Sequence, residues 1–553
     1  MSSPQSRMEL SSMPPVNGGP PGLIFGLILA VFYYSFIGAG LAELASAVPT
    51  AGGVYHWATI AGGPKYGRIL GFFTGWSNFY GWMFDLAALI QIMANICISM
   101  YSVYHQTTYT YEPWQVYIAY LLVLWLCTAA VIFANRVIPH TQNIGMFFVI
   151  VGGIITIIVI SAMPRRHASN HFVWGSFTEN NLTGWPGGLA FLLGVLNGAF
   201  TVGTPDAVTH MAEELPHPRK DLPKAIGLQI GLGFLCAFCF AIALCYAITD
   251  LDALQGFNTY PLAKIYAQAT AHADGTPNHG ATFDSLFIIF CSSLLCCVST
   301  VLTNSRIYWA LARDNAVPLS PLFSRVNEKL SCPVPGTLFV ATALGAIPLG
   351  AIPLGSPTAF LNLTGSFIIL TTVSYAIPFA ANVLTRRQYL PSVPGSFSLG
   401  KFGMPINIIA VLFIVLFNIL FCFPFVYPTT TVTMNYNSVI LVGVVALTAV
   451  WWVVHARRNY PGLKVMGLYI HDSVPSGRGK VEVSEGVEVS VRGGEGGVEE
   501  FEEKEKKESD GPAIAITLDR PQLDPNPDTD SPEPSLLVPV VIQFSAGVWI
   551  LDC

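Results

Sequence analysis

From residue 22 to residue 455 the chain repeats one pattern: a long apolar run, a short polar loop, and another run. Eleven runs reach the roughly 20 residues that a helix needs to cross a bilayer core. They lie at about 22–47, 69–101, 114–134, 142–163, 187–211, 225–249, 282–310, 334–354, 358–382, 405–426 and 437–455. In lipid a backbone must satisfy its own hydrogen bonds, so runs of this kind predict helices. The ten-residue alternating segments of a membrane barrel are absent. The pattern predicts an all-α, polytopic helical membrane bundle embedded in a lipid bilayer.

Composition sharpens this. Charged residues make up 11% of the chain and hydrophobic ones 52%, with a mean hydropathy of +0.54. Soluble domains carry about 25% charged residues. The net charge of −6 includes a large share from the C-terminal segment, and no basic surface for nucleic acid is evident. The eleven cysteines fall mostly inside apolar runs, and even Cys236-x-x-Cys239 reads as small buried hydrophobes.

Loop charge predicts orientation, because cytoplasmic loops hold an excess of Lys and Arg. One alternating set of loops carries Lys65, Arg68, Arg136, Arg219, Lys220, Lys224, Arg313, Arg325, Lys329, Arg386, Arg387, Lys401, Arg457, Arg458 and Lys464. The other set carries Arg165, Arg166 and Lys264. The first set and the C-terminus are expected in the cytosol. Asn181-Leu182-Thr183, a glycosylation triplet, falls on the opposite side, whereas Asn362-Leu363-Thr364 lies inside a span. Eleven spans then put the polar segment 1–17 outside, with no signal to carry it there. Residues 463–553 read as a largely disordered, acidic cytosolic tail. Its apolar end, 536–553, has no physical account.

Candidate chemistry centres on the fifth run, Asn197-Gly198-Ala199-Phe200-Thr201-Val202-Gly203-Thr204-Pro205-Asp206. Glycine and proline together either unwind a membrane helix, freeing carbonyls and amides for a ligand, or merely kink it. Ionisable groups inside spans are a second pointer, since lipid makes them costly. Asp85 can face a cavity or serve as a structural partner. Asp206 follows the break, and Glu43 and Arg306 lie near the inner ends of their spans as packing or gating residues. Phe72, Phe73, Trp76, Phe79, Tyr80, Trp82 and Phe84 crowd one run. Such aromatics can cage a cation, but in membrane helices they more often pack or mark the interface. There is no P-loop, HExxH or nucleophile elbow. His56, His140, His210 and His217 lack ligand spacing, so neither an enzyme, a metal nor a cofactor is implied.

Several motifs resemble those of permeases of the amino acid–polyamine–organocation superfamily. They are Ala42-Glu43-Leu44-Ala45-Ser46 with Pro49-Thr50-Ala51-Gly52-Gly53-Val54-Tyr55-x-Trp57, and Met211-Ala212-Glu213-Glu214 with Pro218-Arg219 and Pro223-Lys224-Ala225-Ile226. A third is Asn304-Ser305-Arg306-x-x-Trp309-Ala310-Leu311-Ala312-Arg313-Asp314 with Val317-Pro318. Gly395-x-Phe397-x-Leu399-Gly400-Lys401-Phe402-Gly403, Asn407 and Met434-Asn435-Tyr436 resemble the fungal branch for choline, γ-aminobutyrate and amino acids.

The resemblance, which runs from Asn17 to Gly462, implies two inverted five-helix repeats plus two helices, with broken first and sixth helices forming the site. The break at Phe200–Asp206 corresponds to the sixth helix, the run at 69–101 to the third, and the seventh and ninth runs to the eighth and tenth. It further implies a plasma-membrane secondary carrier of a small amine or amino acid, working by alternating access and coupled to protons. The expected substrate contacts are Gly198, Phe200, Thr201, Gly203, Thr204 and Asp206, with Tyr80 and Asp85 on the opposite wall. Glu43, Glu213 and Arg306 are expected to be structural or gating residues. The chain divides into 1–17, a permease domain 18–462 and the tail 463–553. Only the polar segment stands where the family has its first helix, so that helix is expected to be missing. Two alternatives remain: a nutrient sensor on the same scaffold, and a shortened chain that does not transport.

Overall fold

The computed structural model describes residues 17–462 apart from 106–108, 110–111, 251–253, 255–259, 273–274, 343–345, 355–357, 392–393 and 432. Residues 1–16 and the expected tail lie outside the described residues. Among those described, eleven helices are long and apolar enough to cross a membrane. They are α1 Gly19–Ala47, α2 Gly63–Tyr104, α3 Pro113–Phe133, α4 Asn143–Ala162, α5 Gly187–Glu213 and α6 Pro218–Ala247. The series continues with α7 His279–Arg313, α8 Val334–Leu354, α9 Ala359–Leu384, α10 Gly400–Leu420 and α11 Asn437–Asn459.

Proline sets several starts: α1, α2, α3 and α6 each carry one in the first turn, where no intrahelical donor is lost. At 42 residues, α2 measures roughly 63 Å at 1.5 Å per residue. It begins six residues before the predicted run, taking Lys65 and Arg68 into its first turns. The extension is held from outside. The Arg68 guanidinium donates to the carbonyls of Ala456 (3.1 Å) and Arg457 (2.6 Å) at the end of α11.

Burial sorts the helices. Two thirds (67%) of the most apolar stretch of α2, α5 and α9 is buried, against 22% for α4 and 17% for α11. The first three form the centre and the last two face outward. α1 packs along α5 and α6, while α2 packs along α9 and α7. Glycine permits two of these approaches. A Cβ on Gly198 would lie 2.7 Å from Leu27 Cα of α1, and one on Gly81 would lie 2.7 Å from Thr371 Cγ2 of α9.

The fifth span is broken, not merely kinked. Its α-helix ends at Val202, Gly203 and Thr204 are irregular, and Ala207–Glu214 winds as a 3₁₀ segment. A regular α-helix resumes only with α6 at Pro218.

Between α1 and α2 lies a short helix, Val54–Ala61, with all eight residues buried. It packs on α2 and α9 at the face that carries the Lys/Arg-rich loops, here the basic face. Gly53 starts it at φ 54°, a conformation that favours glycine. Trp57 Nε1 donates to the Val48 carbonyl at 2.8 Å and closes the turn.

Candidate functional site

The break in α5 exposes backbone that other helices then satisfy. Gln229 Nε2 of α6 donates to both the carbonyl (2.6 Å) and the hydroxyl (2.9 Å) of Thr204. Thr209 answers the Asp206 carbonyl with its own amide and hydroxyl, at 2.9 and 2.6 Å. With these carbonyls paired, the chain can hold an opened turn at membrane depth.

Asp206, fully buried, is the hub of the site. Its Oδ2 accepts from Asn78 Nδ2 (2.8 Å) and Trp82 Nε1 (3.2 Å), both on α2, and lies 3.4 Å from His210 Nε2. Oδ1 accepts from the Tyr375 hydroxyl of α9 at 2.6 Å. Asn78 Nδ2 also donates to Ser374 Oγ of α9 at 3.2 Å. The other ring nitrogen of His210 lies 3.1 Å from the Ala51 carbonyl. The two His210 nitrogens thus join the Ala51 carbonyl to the Asp206 carboxylate. Helical spacing explains the convergence. Asn78 and Trp82 are four apart on α2, and Asp206 and His210 are four apart beyond the break.

Phe367 closes one side, edge-on to Phe200 at 5.6 Å and near Trp82 at 6.2 Å. A Cβ on Gly203 would meet Ile368 Cδ1 at 2.6 Å and the Ala199 carbonyl at 2.8 Å, so glycine keeps α9 against the break. Two apolar grooves lie elsewhere, one lined by Val373, Ile377, Val411 and Val415, the other by Phe148, Ile154, Leu235 and Cys236.

The structure brings together Phe200, Gly203, Thr204 and Asp206 of the predicted residues. Thr201 instead bonds back to the Asn197 carbonyl (3.0 Å), and Gly198 serves the contact with α1. The side chains that meet Asp206 from the other helices are Asn78, Trp82 and Tyr375, rather than Tyr80 or Asp85. Tyr80 sits among Trp76 and Phe79, at 5.6 Å from each. Asp85 lies three residues past Trp82 and makes no contact with the hub. His210 was set aside as isolated; an Asp-x-x-x-His pair across a broken span was the signal available for it. Tyr375 and Gln229 carry no comparable mark in the sequence.

A second buried carboxylate sits at the basic face. Asp314 Oδ2 accepts from the Tyr55 hydroxyl at 2.9 Å and lies 3.1 Å from His56 Nε2, while His56 Nδ1 meets Thr50 Oγ1 at 2.8 Å. Burial alone would raise the Asp314 carboxyl. The bond and charge of His56, the Tyr55 bond and the Arg313 charge outweigh it and hold the group below its ordinary range. Nearby, Glu213 pairs with Arg313 at 3.4 Å and accepts from the Ala51 amide at 3.3 Å.

Glu43 pairs with Arg387 at 2.5 Å and also accepts from Ser398 Oγ (3.1 Å) and the Leu399 amide (2.8 Å). Its charged partner is thus Arg387, from just past the far end of α9. Glu43 and Glu213 both hold loops at this face. On the opposite face, Asn181 is tied to the Trp185 carbonyl (2.9 Å) and to Thr183 Oγ1 (2.7 Å), and Thr183 is fully buried. The triplet is therefore folded into its loop. Among the described residues, no group of three His, Cys, Asp or Glu side chains can hold a metal ion.

An all-helical bundle with a hydrogen-bonded carboxylate beside a broken span is an integral, multi-pass membrane protein of the transporter type. The chain belongs to the amino acid permease family, whose model matches residues 8–446. It is 32% identical over 455 residues, 81% of this chain and 77% of the relative, to the choline transporter of Saccharomyces cerevisiae. To the amino-acid permease BAT1 of Arabidopsis thaliana it is 30% identical over 457 residues, covering 80% and 87%. The GABA-specific permease of Saccharomyces cerevisiae is 28% identical over 468 residues, 81% of this chain and 78% of that one. These relatives are named as permeases and transporters, not enzymes.

Proposed function

We propose that the chain is a secondary active carrier of a small amine or amino acid, working by alternating access with the substrate held at the break in α5. The observation that carries this reading is the Asp206 hub. A fully buried carboxylate stands at a helix break and is held by donors from two other spans. Buried charge in a membrane helix is costly, and sites of transport are where it is found. The cationic nitrogen shared by choline, γ-aminobutyrate and amino acids suits this anion, and Trp82, Phe367 and Phe200 add aromatic faces.

The relatives' names support the substrate class. Proton coupling, a plasma-membrane location, a permease domain over 18–462 and a cytosolic C-terminus complete the reading, the last supported by the loop charges. The basic-face contacts of Asp314, Glu213 and Glu43 then hold the cytosolic side shut in this closed conformation.

The test is uptake of labelled choline, γ-aminobutyrate and amino acids by cells expressing the full chain, with Asp206→Asn as comparison. Saturable uptake of one substrate by the parent and its loss in the variant, at equal surface expression, are expected. Equal uptake by both would remove Asp206 from the site.

A further inference from the structure

Asp85 is a buried acid that the Asp206 hub does not use. It is 3% exposed, and its Oδ2 has no hydrogen-bond partner among the described residues. Thr74, Asn78 and Asp85 stand at offsets of zero, four and eleven along α2, so they share one helix face. Thr74 Oγ1 and Asn78 Oδ1 are likewise buried and unpartnered. The helix face that carries Asn78, a donor to Asp206, therefore continues outward to a second carboxyl.

The titratable groups around Asp85 are few. Asp206 stands on α5. Cys297 of α7 and Cys127 of α3 are buried thiols on two helices that pack against α2. From α9, Tyr375 is committed to Asp206, as is His210 beyond the break. No ion pair to Asp85 occurs among the described residues. A carboxylate ion with a bare oxygen at this depth costs several kcal/mol, more so beside a second carboxylate. Asp206 has its charge answered by His210, Asn78, Trp82 and Tyr375. No comparable set of partners meets Asp85 among the described residues.

A proton is the partner that fits. Hard metal ions want about six oxygen ligands. No metal-ligating trio exists among the described residues. We propose that Asp85 takes up and gives back one proton in each transport cycle, leaving Asp206 as the fixed anion of the site. The proposal rests on the carrier reading above and deepens it. Outside, one O–H bond forms on the carboxylate from a water-borne proton; inside, the same bond breaks and returns the proton to water. No other bond changes. A neutral Asp85 can stay buried, as it is in this structure. An ionised Asp85 without substrate holds the site open.

The test uses the full chain in proteoliposomes, with the substrate identified by uptake. For one coupled proton, a gradient of one pH unit supports about tenfold accumulation. The parent is expected to reach that figure and Asp85→Asn to fall to equilibration, with a flat pH profile. Substrate-for-substrate exchange, which needs no net proton movement, is expected to persist in Asp85→Asn. A structural role alone would lower exchange and accumulation together, and that result overturns the proposal. So does accumulation by Asp85→Asn with the parent's pH profile. Asp85→Glu, which keeps a titratable carboxyl, guards against misfolding of the amide variant. It is expected to accumulate substrate with a shifted pH midpoint, and an unshifted midpoint counts against Asp85. Absence of both uptake and exchange in the parent would sink the carrier reading itself and this proposal with it.

Discussion

Asp206 and Asp314 are built from the same parts and differ in where the parts come from. Each is a buried aspartate with a histidine against Oδ2 and a tyrosine hydroxyl on the carboxylate. The donors to Asp206 arrive from α2, α9 and the 3₁₀ turn. Those to Asp314 are neighbours in sequence, Tyr55 and His56, on one short buried helix. Asp314 therefore fastens one segment to the end of α7. Asp206 ties together three elements, α2, α9 and the turn beyond the break. The same chemistry makes a clamp in one place and a junction in the other.

The comparison breaks first at Asp206. Asp206→Ala removes the acceptor from Asn78, Trp82, Tyr375 and His210 at once, and uptake is expected to fall at least about 100-fold. Radiotracer uptake normalised to surface protein measures it. Next comes Gly203→Leu, which pushes α9 off the break and should cost roughly 10- to 100-fold in flux. Gly231→Leu, at a position with no atom within 4 Å of a new Cβ, serves as the neutral control.

Asp314→Ala should act on stability instead, losing about 1–3 kcal/mol in a detergent melt because Tyr55 and His56 are left without their acceptor. The clamp also has a pH signature. The Asp314 carboxyl is held below its ordinary value, so its contribution is present at neutral pH and fades as pH falls below about 4. A melt series in which parent and Asp314→Ala converge on acidification would confirm that sign, and a constant gap would refute it. Smallest is Arg313→Gln. The Arg313–Glu213 pair is 33% and 44% exposed at 3.4 Å, so less than about 1 kcal/mol is at stake.

Hydrophobic run length made the eleven spans legible, because lipid leaves a helix no alternative. The break was legible too, since Gly203 and Pro205 act locally. What the sequence hid were partners remote along the chain. Tyr375 lies 169 residues from Asp206, and Tyr55 lies 259 from Asp314. Nothing near Tyr375 distinguishes it from other buried tyrosines, and the motifs that hold Tyr55 and Asp314 do not say that the two meet. Glu43 shows the limit well. Its burial was foreseeable from its place in a span, but Arg387 and the Leu399 amide meet it only because the loop before α10 folds back.

The glycine contact between α2 and α9 sets how the bundle can articulate. With Gly81 against Thr371, and Asn78 bonded to Ser374 a turn away, these two helices have no slack to slide. On the other side, α1 is interlocked with α5 through Gly198, and α6 is stitched to the break by Gln229. Two stiff blocks thus meet along a seam, and Asp206 is where the seam is sewn. The rocking motion that the proposed alternating access requires would part Asp206 from Asn78, Trp82 and Tyr375 while the Gln229–Thr204 bonds ride along intact.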